Sequence, residues 1–373
     1  MRNLTPYANV DWEKFHRIRT ANHVHAHMFK LQAFYDALER GYDLLTLSNY
    51  YPSRPYYPLS SVKKNAFCAS QENGILQNGK FVEGPLDWNS IIKEWEDELG
   101  EEERKEFPFV AGENVFPPLP EGMLEAPNAE HHSFVDCDKI MPRGFHITAP
   151  GAMWASGHFD KFRKYKLRAH GYGIGAGVTW KEGFRNILDS LLWEEGGGII
   201  INHPNHTMIP FDFLLEVLDY DDRVLGIEVW NTSMSSEDIW DNVLRTGRQC
   251  FGFFAPDHYN KWSCLYNPMN ILLTEERTAR NGMKAYRNGE FYGCLHNTGL
   301  AFEKIIFEGD RLFVKINKEA FIQILGDPGV VAMEKTSELE YKVTDPKSKL
   351  TYLRVKAIDE TLETIYSQAM FLP

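Results

Sequence analysis

Short apolar runs that alternate with amphipathic helical patterns are the feature that most limits the fold of this 373-residue chain. A capping box, Thr179 with Glu182, opens one of the helical patterns. Continuous apolar strands that alternate with helices predict βα units and a parallel sheet, either open or closed into a barrel. The apolar runs are rich in Ile, Val and Phe and lie at 23–29, 43–50, 107–116, 144–151, 197–204, 224–231 and 249–258. The helical patterns lie at 31–41, 87–103, 179–196, 211–222 and 235–247.

The pattern changes after about residue 300. Residues 301–317 predict a hairpin around Gly309-Asp310, and the later segments alternate polar and apolar residues. Such alternation is typical of strands with one face in solvent. We therefore predict an α/β domain at 1–298 and a small all-β, sandwich-like domain at 299–373.

Two stretches, 51–86 and 117–143, contain Pro, Gly and Asn throughout and are predicted to be long loops. His131 and His132 lie in the second stretch and are expected at the surface.

The net charge of -12 argues against binding to a nucleic-acid polymer or an anionic membrane. An anionic substrate would need local positive charge from a metal ion or a few placed cations, for which Arg54 and Arg143 are candidates. The N-terminal segment has no secretory signal pattern, and no apolar run is long enough to span a membrane. The five scattered cysteines argue against a disulfide framework, so a cytoplasmic location is expected.

Side chains that can bind metal stand at or near the C-terminal ends of the predicted strands. In parallel α/β folds this edge is where active sites are built. Imidazoles mixed with carboxylates, without thiolates, suit Zn, Mn or Fe. These residues are His23, His25, His27, Glu113, His146, His203, Glu228, Asp257 and His258.

His23, His25 and His27 occupy every second position of the first run. Alternate side chains of a strand point to one face, roughly 6–7 Å apart. Two such imidazoles can share one ion, and the third can reach a neighbouring ion or support the ligands. This spacing predicts a metal site without choosing the pair that binds.

The ordered set of motifs resembles the PHP (polymerase and histidinol phosphatase) superfamily of metal-dependent phosphoesterases. The resemblance implies a distorted (β/α)7 barrel followed by a small β-domain. It covers about residues 20–300 through "VHAHM", "ERGYDLLTLSNY", "VAGENV", "GFHITAPG", "GGIIINHP", "LGIEVWN" and "TGRQCFGFFAPDHY".

The same resemblance implies the ligand set. His25 and His27 would form the first pair, with His23 and His25 as the alternative register. Glu113 would bridge two metal ions. The first ion would also take Asp257, and the second would take His146 and His203. Glu228 is either a ligand or a supporting carboxylate.

Two departures from the family pattern bear on the number of ions. Asn49 and Tyr50 stand where the family has Asp and His, and Tyr259 stands where it has the last His, unless His258 takes that place. A neutral phenol, with a pKa of about 10, is a poor ligand for a divalent ion near neutral pH. We therefore predict two divalent ions. The residues predicted to contact substrate are Asn49, Tyr50, Arg54, His206 and Tyr259.

The function predicted on this basis is hydrolysis of a small phosphorylated metabolite or nucleotide by a metal-activated water. Two alternatives remain: a hydrolase of a non-phosphate bond on the same scaffold, and a non-catalytic binding protein with a partly degenerate metal site. The sequence does not determine the substrate or the oligomeric state.

Overall fold

The computed structural model describes residues 5–25, 40–46, 48, 75–77, 80–82, 121–132, 134–137, 140–141, 144–152, 158–159, 174–175, 178–258, 266–343 and 350–372. For His25, His258 and residues 75–77, 80–82, 158–159 and 174–175 the description covers the backbone alone. The predicted helix at 87–103 and the predicted strand at 107–116 lie outside these residues, as do residues 31–39.

The described residues form a mixed α/β structure in which strands outnumber helices. The strands of the first half are β1 His16–Thr20, β2 Val24–His25, β3 Leu44–Leu45, β4 Ile75–Gln77, β5 Lys80–Val82, β6 Leu124–Glu125, β7 Glu130–His131, β8 Ile147–Thr148, β9 His158–Phe159 and β10 Ile174–Gly175. Those of the second half are β11 Ile199–Ile201, β12 Val224–Asn231, β13 Met234–Ser235, β14 Phe251–Ala255, β15 Asp257–His258, β16 Met269–Thr274, β17 Phe291–Cys294, β18 Phe302–Glu308, β19 Arg311–Gly326, β20 Gly329–Lys342, β21 Tyr352–Ile358, β22 Thr364–Tyr366 and β23 Met370–Phe371. The helices are α1 Trp180–Asp189, α2 Pro204–Thr207, α3 Phe211–Leu218, α4 Glu237–Arg245 and α5 Ala279–Asn288.

Three helices appear where the sequence predicted them, and six of the seven predicted apolar runs contain a described strand. Helix α1 begins at the predicted cap, where the Thr179 hydroxyl accepts a hydrogen bond from the Glu182 N–H at 3.3 Å. It ends at Asp189, earlier than the predicted residue 196. Helices α3 and α4 fall within their predicted ranges, as do strands β11, β12 and β14.

A six-stranded sheet carries the parallel strands. Its order is β13-β12-β11-β8-β7, and β14 pairs with β12. The β11–β12 and β12–β14 pairs are parallel, whereas β8 and β7 join antiparallel. The buried faces of α1, α3 and α4 pack against this sheet through Phe184, Leu214 and Trp240, which lie in one core with Ile201 and Ile227. The predicted parallel sheet is thus confirmed only in part, because β7, β8 and β13 join it antiparallel.

A nine-stranded antiparallel sheet joins the two ends of the chain. Its order is β1-β16-β17-β22-β21-β19-β18, with β20 on β19 and β23 on β21. Strand β17 pairs with β22 through Gly293 and Tyr366, so this sheet continues across residue 298. The boundary at 298 stays a prediction. The predicted hairpin around Gly309 is confirmed, because Glu308 pairs with Arg311.

The described strands form open sheets and do not close a barrel. Single backbone hydrogen bonds nevertheless connect neighbouring segments. The N–H of Asp257 donates to the His23 carbonyl at 3.0 Å, that of Ser48 to Val24 at 2.9 Å, and that of Glu130 to Ser48 at 2.8 Å. These bonds set four segments side by side, and their polar residues meet.

Within the part of the chain that the structure describes, the helices are too short or too polar to cross a membrane.

Candidate metal centre

Six imidazole and carboxylate side chains from different segments of the chain lie close together. Two of them follow parallel strands, whose C-terminal ends meet at one edge of a sheet. His203 and Asp257 each stand two residues after a parallel strand, β11 and β14 respectively. The six residues are His23, Glu130, His146, His203, Glu228 and Asp257.

Both residues that follow the parallel strands adopt a left-handed backbone. The φ angle is 28° at His203 and 60° at Asp257. Such conformations cost about 1–3 kcal/mol for a residue other than glycine and persist only where the surroundings hold them. The His203 N–H donates to Glu228 Oε2 at 2.8 Å, and the Asp257 N–H donates to the carbonyl of His23. The site itself therefore fixes the backbone that presents these side chains.

Glu130 lies among three imidazoles. Its Oε1 is 3.0 Å from His146 Nδ1 and 3.6 Å from His203 Nε2, and it accepts a hydrogen bond from Asn202 Nδ2 at 3.1 Å. Its Oε2 is 3.4 Å from His23 Nε2. The two oxygens thus face different histidines, and the side chain is 1% exposed.

His23 is held from both sides of its ring. Its Nδ1 is 2.8 Å from Glu228 Oε1, and its Nε2 is 3.3 Å from Asp257 Oδ1. The side chain is fully buried. His203 Nε2 lies 4.0 Å from Asp257 Oδ2, so Asp257 also faces two imidazoles.

The charges of these groups are strongly coupled. Burial alone would lower the pKa of His23, but Asp257, Glu228 and Glu130 outweigh it and raise that pKa well above its ordinary value. Burial would raise the pKa of Glu130, but the neighbouring His23 and His146 hold it well below its usual range. Among the described residues, the ion-pair partners of Glu130 and Asp257 are histidines rather than lysines or arginines. The positive charge that these described histidines carry can therefore be exchanged, because an imidazole can give up its proton.

The donor set fits a divalent cation. One ligand atom each from His23, Glu130 and His203 lies within 4.8 Å of the others, and all three residues are buried. Imidazole nitrogens and carboxylate oxygens are the usual ligands of Zn, Mn and Fe. The contact from Glu228 to His23 Nδ1 leaves Nε2 directed at the two carboxylates, which is the usual support of a metal-binding histidine.

A row of imidazoles extends from this cluster. The His203 ring centroid is 5.1 Å from that of His146 and 5.5 Å from that of His206. The His146 ring is 5.4 Å from that of His132. His146 is 24% exposed at its side chain and His206 is exposed, so this row faces solvent.

The structure brings together only part of the predicted set. His146, His203 and Asp257 lie in the cluster, together with His23, which belongs to the alternative register of the histidine motif. The predicted roles of the other residues stay predictions. His25 and His258 are described by backbone alone, and His27, Asn49, Tyr50, Arg54, Glu113, Arg143 and Tyr259 lie outside the described residues.

Sequence reasoning missed Glu130. It stands in the stretch 117–143, whose Pro127 and Asn128 favoured a loop, yet β6 and β7 lie there. The available signal was the run Glu130-His131-His132, three residues that can bind metal. The expectation that His131 lies at the surface was wrong: it is fully buried, and burial beside His132 lowers its pKa to about 3.

No family model and no curated protein matches the chain. Among solved structures, the chain is similar to a two-domain protein from Bacteroides vulgatus ATCC 8482 that contains a predicted PHP-like metal-dependent phosphoesterase. The two share 12% sequence identity over 99% of each chain, with a TM-score of 0.44. A similarity this distant assigns neither fold nor function.

Proposed function

We propose that this chain is a metal-dependent hydrolase that cleaves a phosphoester of a small metabolite or nucleotide. The observation that carries the proposal is the position of Glu130, whose two oxygens face His23 on one side and His146 with His203 on the other. A buried carboxylate in that position can bridge two cations. The motif resemblance supplies the reaction class.

Two divalent ions, Zn, Mn or Fe, are proposed. His23, Glu130 and Asp257 would hold the first ion, and Glu130, His146 and His203 would hold the second. Bound ions would polarise the phosphoryl oxygens and lower the pKa of a coordinated water. The protein holds the ligands in place. A bound cation would take the place of the proton at the imidazole nitrogens that face the carboxylates.

The exposed end of the imidazole row is the proposed substrate side. His206 is exposed and its ring lies next to that of His203, which supports the proposal that it would contact an anionic group of the substrate. The predicted contacts from Asn49, Tyr50, Arg54 and Tyr259 remain part of this proposal. A closed (β/α)7 barrel also remains a proposal, supported by the backbone bonds that link the segments of His23, Ser48 and Glu130.

Metal analysis and a substrate panel test the proposal. Protein purified from metal-replete medium should contain about two divalent ions per chain and should hydrolyse at least one substrate of a phosphatase and phosphodiesterase panel supplied with Mn or Zn. The isosteric variant Glu130→Gln should lose both properties. A chain that holds no metal would indicate the non-catalytic binding protein, and turnover confined to amides or glycosides would indicate the other hydrolase.

A further inference from the structure

Both carboxylate oxygens of Glu228 have two described hydrogen-bonding contacts. Oε1 accepts from Asn22 Nδ2 at 3.0 Å and contacts His23 Nδ1 at 2.8 Å. Oε2 accepts from the His203 N–H and from Asn231 Nδ2, both at 2.8 Å. A carboxylate has about four acceptor positions, so the four donors fill them. The side chain has no exposed surface.

Each oxygen of Glu228 acts on a different histidine of the cluster. Oε1 requires a proton on His23 Nδ1, which leaves the Nε2 lone pair of a neutral ring directed at Glu130 and Asp257. Oε2 binds the N–H of His203, whose backbone is left-handed and whose ring would turn elsewhere in an ordinary conformation. One carboxylate thereby controls a tautomer on one ligand and a backbone angle on another.

We propose that Glu228 is a positioning residue that orients His23 and His203 together for metal binding. The inference rests on the proposed metal centre and goes beyond it, because it assigns to Glu228 a role as the shared support of two ligands and not as a ligand. If Glu228 only filled space and accepted hydrogen bonds, its replacement would not change which nitrogen of the His23 ring carries the proton.

The variant Glu228→Gln separates these roles. An amide has one acceptor oxygen and one donor NH₂ group, so either orientation sets its NH₂ against two of the four donors. The His203 N–H cannot become an acceptor, whereas an imidazole can, by moving its proton to the other nitrogen. The amide NH₂ should therefore face His23, whose proton then moves to Nε2 and blocks the lone pair that faces the proposed metal.

The experiment measures Zn affinity by chelator competition, together with the ring ¹H–¹⁵N spectrum of Zn-loaded protein labelled in histidine. Wild-type protein should show a protected Nδ1–H signal of a Zn-bound ring, assigned to His23 by its absence in His23→Asn. Glu228→Gln should bind Zn about 10- to 100-fold more weakly and should lose or shift this signal. Glu228→Asp, which keeps both acceptor oxygens, should restore the signal and part of the affinity.

Glu237→Gln is the matched control, because Glu237 is a half-buried carboxylate whose described partners are Arg354, Lys356 and Tyr366. It should leave Zn affinity and the signal unchanged. Weaker Zn binding by Glu228→Gln with an unchanged Nδ1–H signal would show that Glu228 acts through its charge alone and would overturn the inference. Equal Zn affinity of Glu228→Gln and the wild-type protein would also overturn the inference. A wild-type chain that binds no Zn would overturn the proposed function as well, so the two failures are distinguishable.

Discussion

Two groups of buried charge in this chain are built on different principles. The first is the metal centre, in which the described partners of Glu130 and Asp257 are histidines. The second, here called the arginine cluster, comprises Arg354, Lys356, Glu237, Asp241, Tyr352 and Tyr366 and links α4 to β21 and β22.

The arginine cluster holds its positive charge permanently. Arg354, only 1% exposed, donates through Nε and Nη2 to both oxygens of Asp241 at 2.8 and 2.9 Å, and its guanidinium lies 4.9 Å from the centre of the Trp240 ring. A guanidinium stays protonated under all ordinary conditions. Among the described residues of the metal centre, the cations that face Glu130 and Asp257 are imidazoles, which can give up a proton to a metal ion. The difference teaches that a fixed cation marks a structural contact, whereas an exchangeable one marks a place for a ligand.

The largest effect should come from removing the fixed cation. Arg354→Leu leaves Asp241 and Glu237 without their guanidinium, and we expect the free energy of unfolding to fall by about 3 kcal/mol because unpaired charges remain in a poorly solvated place. The loss stays at the lower end of the usual range because both carboxylates are partly exposed. Urea unfolding measures this change. The double variant Arg354→Leu, Asp241→Asn should recover at least about 1 kcal/mol. If Arg354→Leu also lowered the free energy of Zn binding by about 3 kcal/mol, the arginine cluster and the metal centre would not be independent.

The second effect concerns the exchangeable charge. Glu130→Gln should weaken Zn binding by at least about 100-fold, since the carboxylate facing three imidazoles is lost. The stability of the metal-free variant should change much less than that of Arg354→Leu. Calorimetric titration measures the affinity, and Glu237→Gln is the matched control. If Glu237→Gln weakened metal binding as strongly as Glu130→Gln, the contrast between the two clusters would be wrong.

Removal of the metal ion should lower the stability of the protein only when the metal centre is intact. A ligand that binds only the folded state stabilises it by about 1.4 kcal/mol at ten times its Kd. A chelator should therefore lower the melting temperature of Zn-loaded wild-type protein and of Arg354→Leu by similar amounts, but should leave Glu130→Gln unaffected. Differential scanning calorimetry at fixed protein concentration tests this. If the chelator lowered the melting temperature of Glu130→Gln as much as that of the wild-type protein, the metal ion would bind at a different site.

The smallest effect should be the pH dependence of the metal-free chain. Burial opposes protonation of His23, but Asp257, Glu228 and Glu130 raise its pKa well above the ordinary 6.5. Such a group stabilises the folded state fully below pH 6.5, and this contribution is lost as the pH rises through the raised pKa. Urea unfolding of chelated protein should show stability falling above pH 6.5, with a smaller fall in His23→Asn. The arginine cluster should not contribute, because the pKa of Arg354 lies above this range. Equal slopes in both proteins would contradict the assignment.

Local sequence patterns were sufficient to predict the helices and strands whose own residues show a cap, an apolar face or a continuous apolar run. Helix α1 has its own cap and an apolar face, and β12 is a continuous apolar run that is buried along most of its length. Strand β1 was missed because "HRIRT" carries three positively charged or titratable residues and gains its place only from pairing with β16. Helix α5 was missed although Thr278 caps its first turn.

The metal centre shows where sequence reasoning stops. His203 and Asp257 could be predicted because the rule on strand ends depends on chain order alone. The place of His23 in the cluster could not, because His23, His25 and His27 share one period and the contacts that hold His23 come from distant segments, such as Glu228. Glu130 was hidden because its segment is held by distant partners. Leu124, Ala126 and Glu130 donate backbone hydrogen bonds to Asp43, Leu45 and Ser48, and β7 pairs with β8.

The pairing of β1 with β16 also bears on how the chain is made. Thr20 pairs with Asn270, so the partner of this strand leaves the ribosome 250 residues later. At a synthesis rate of about 5–20 residues per second, β1 waits roughly 12–50 s before β16 exists. Asp257 is also made late in that interval. The nascent chain therefore carries His23 without Glu228 and Asp257 for more than 200 residues of synthesis, so the complete set of side chains around His23 forms only after Asp257 has been made.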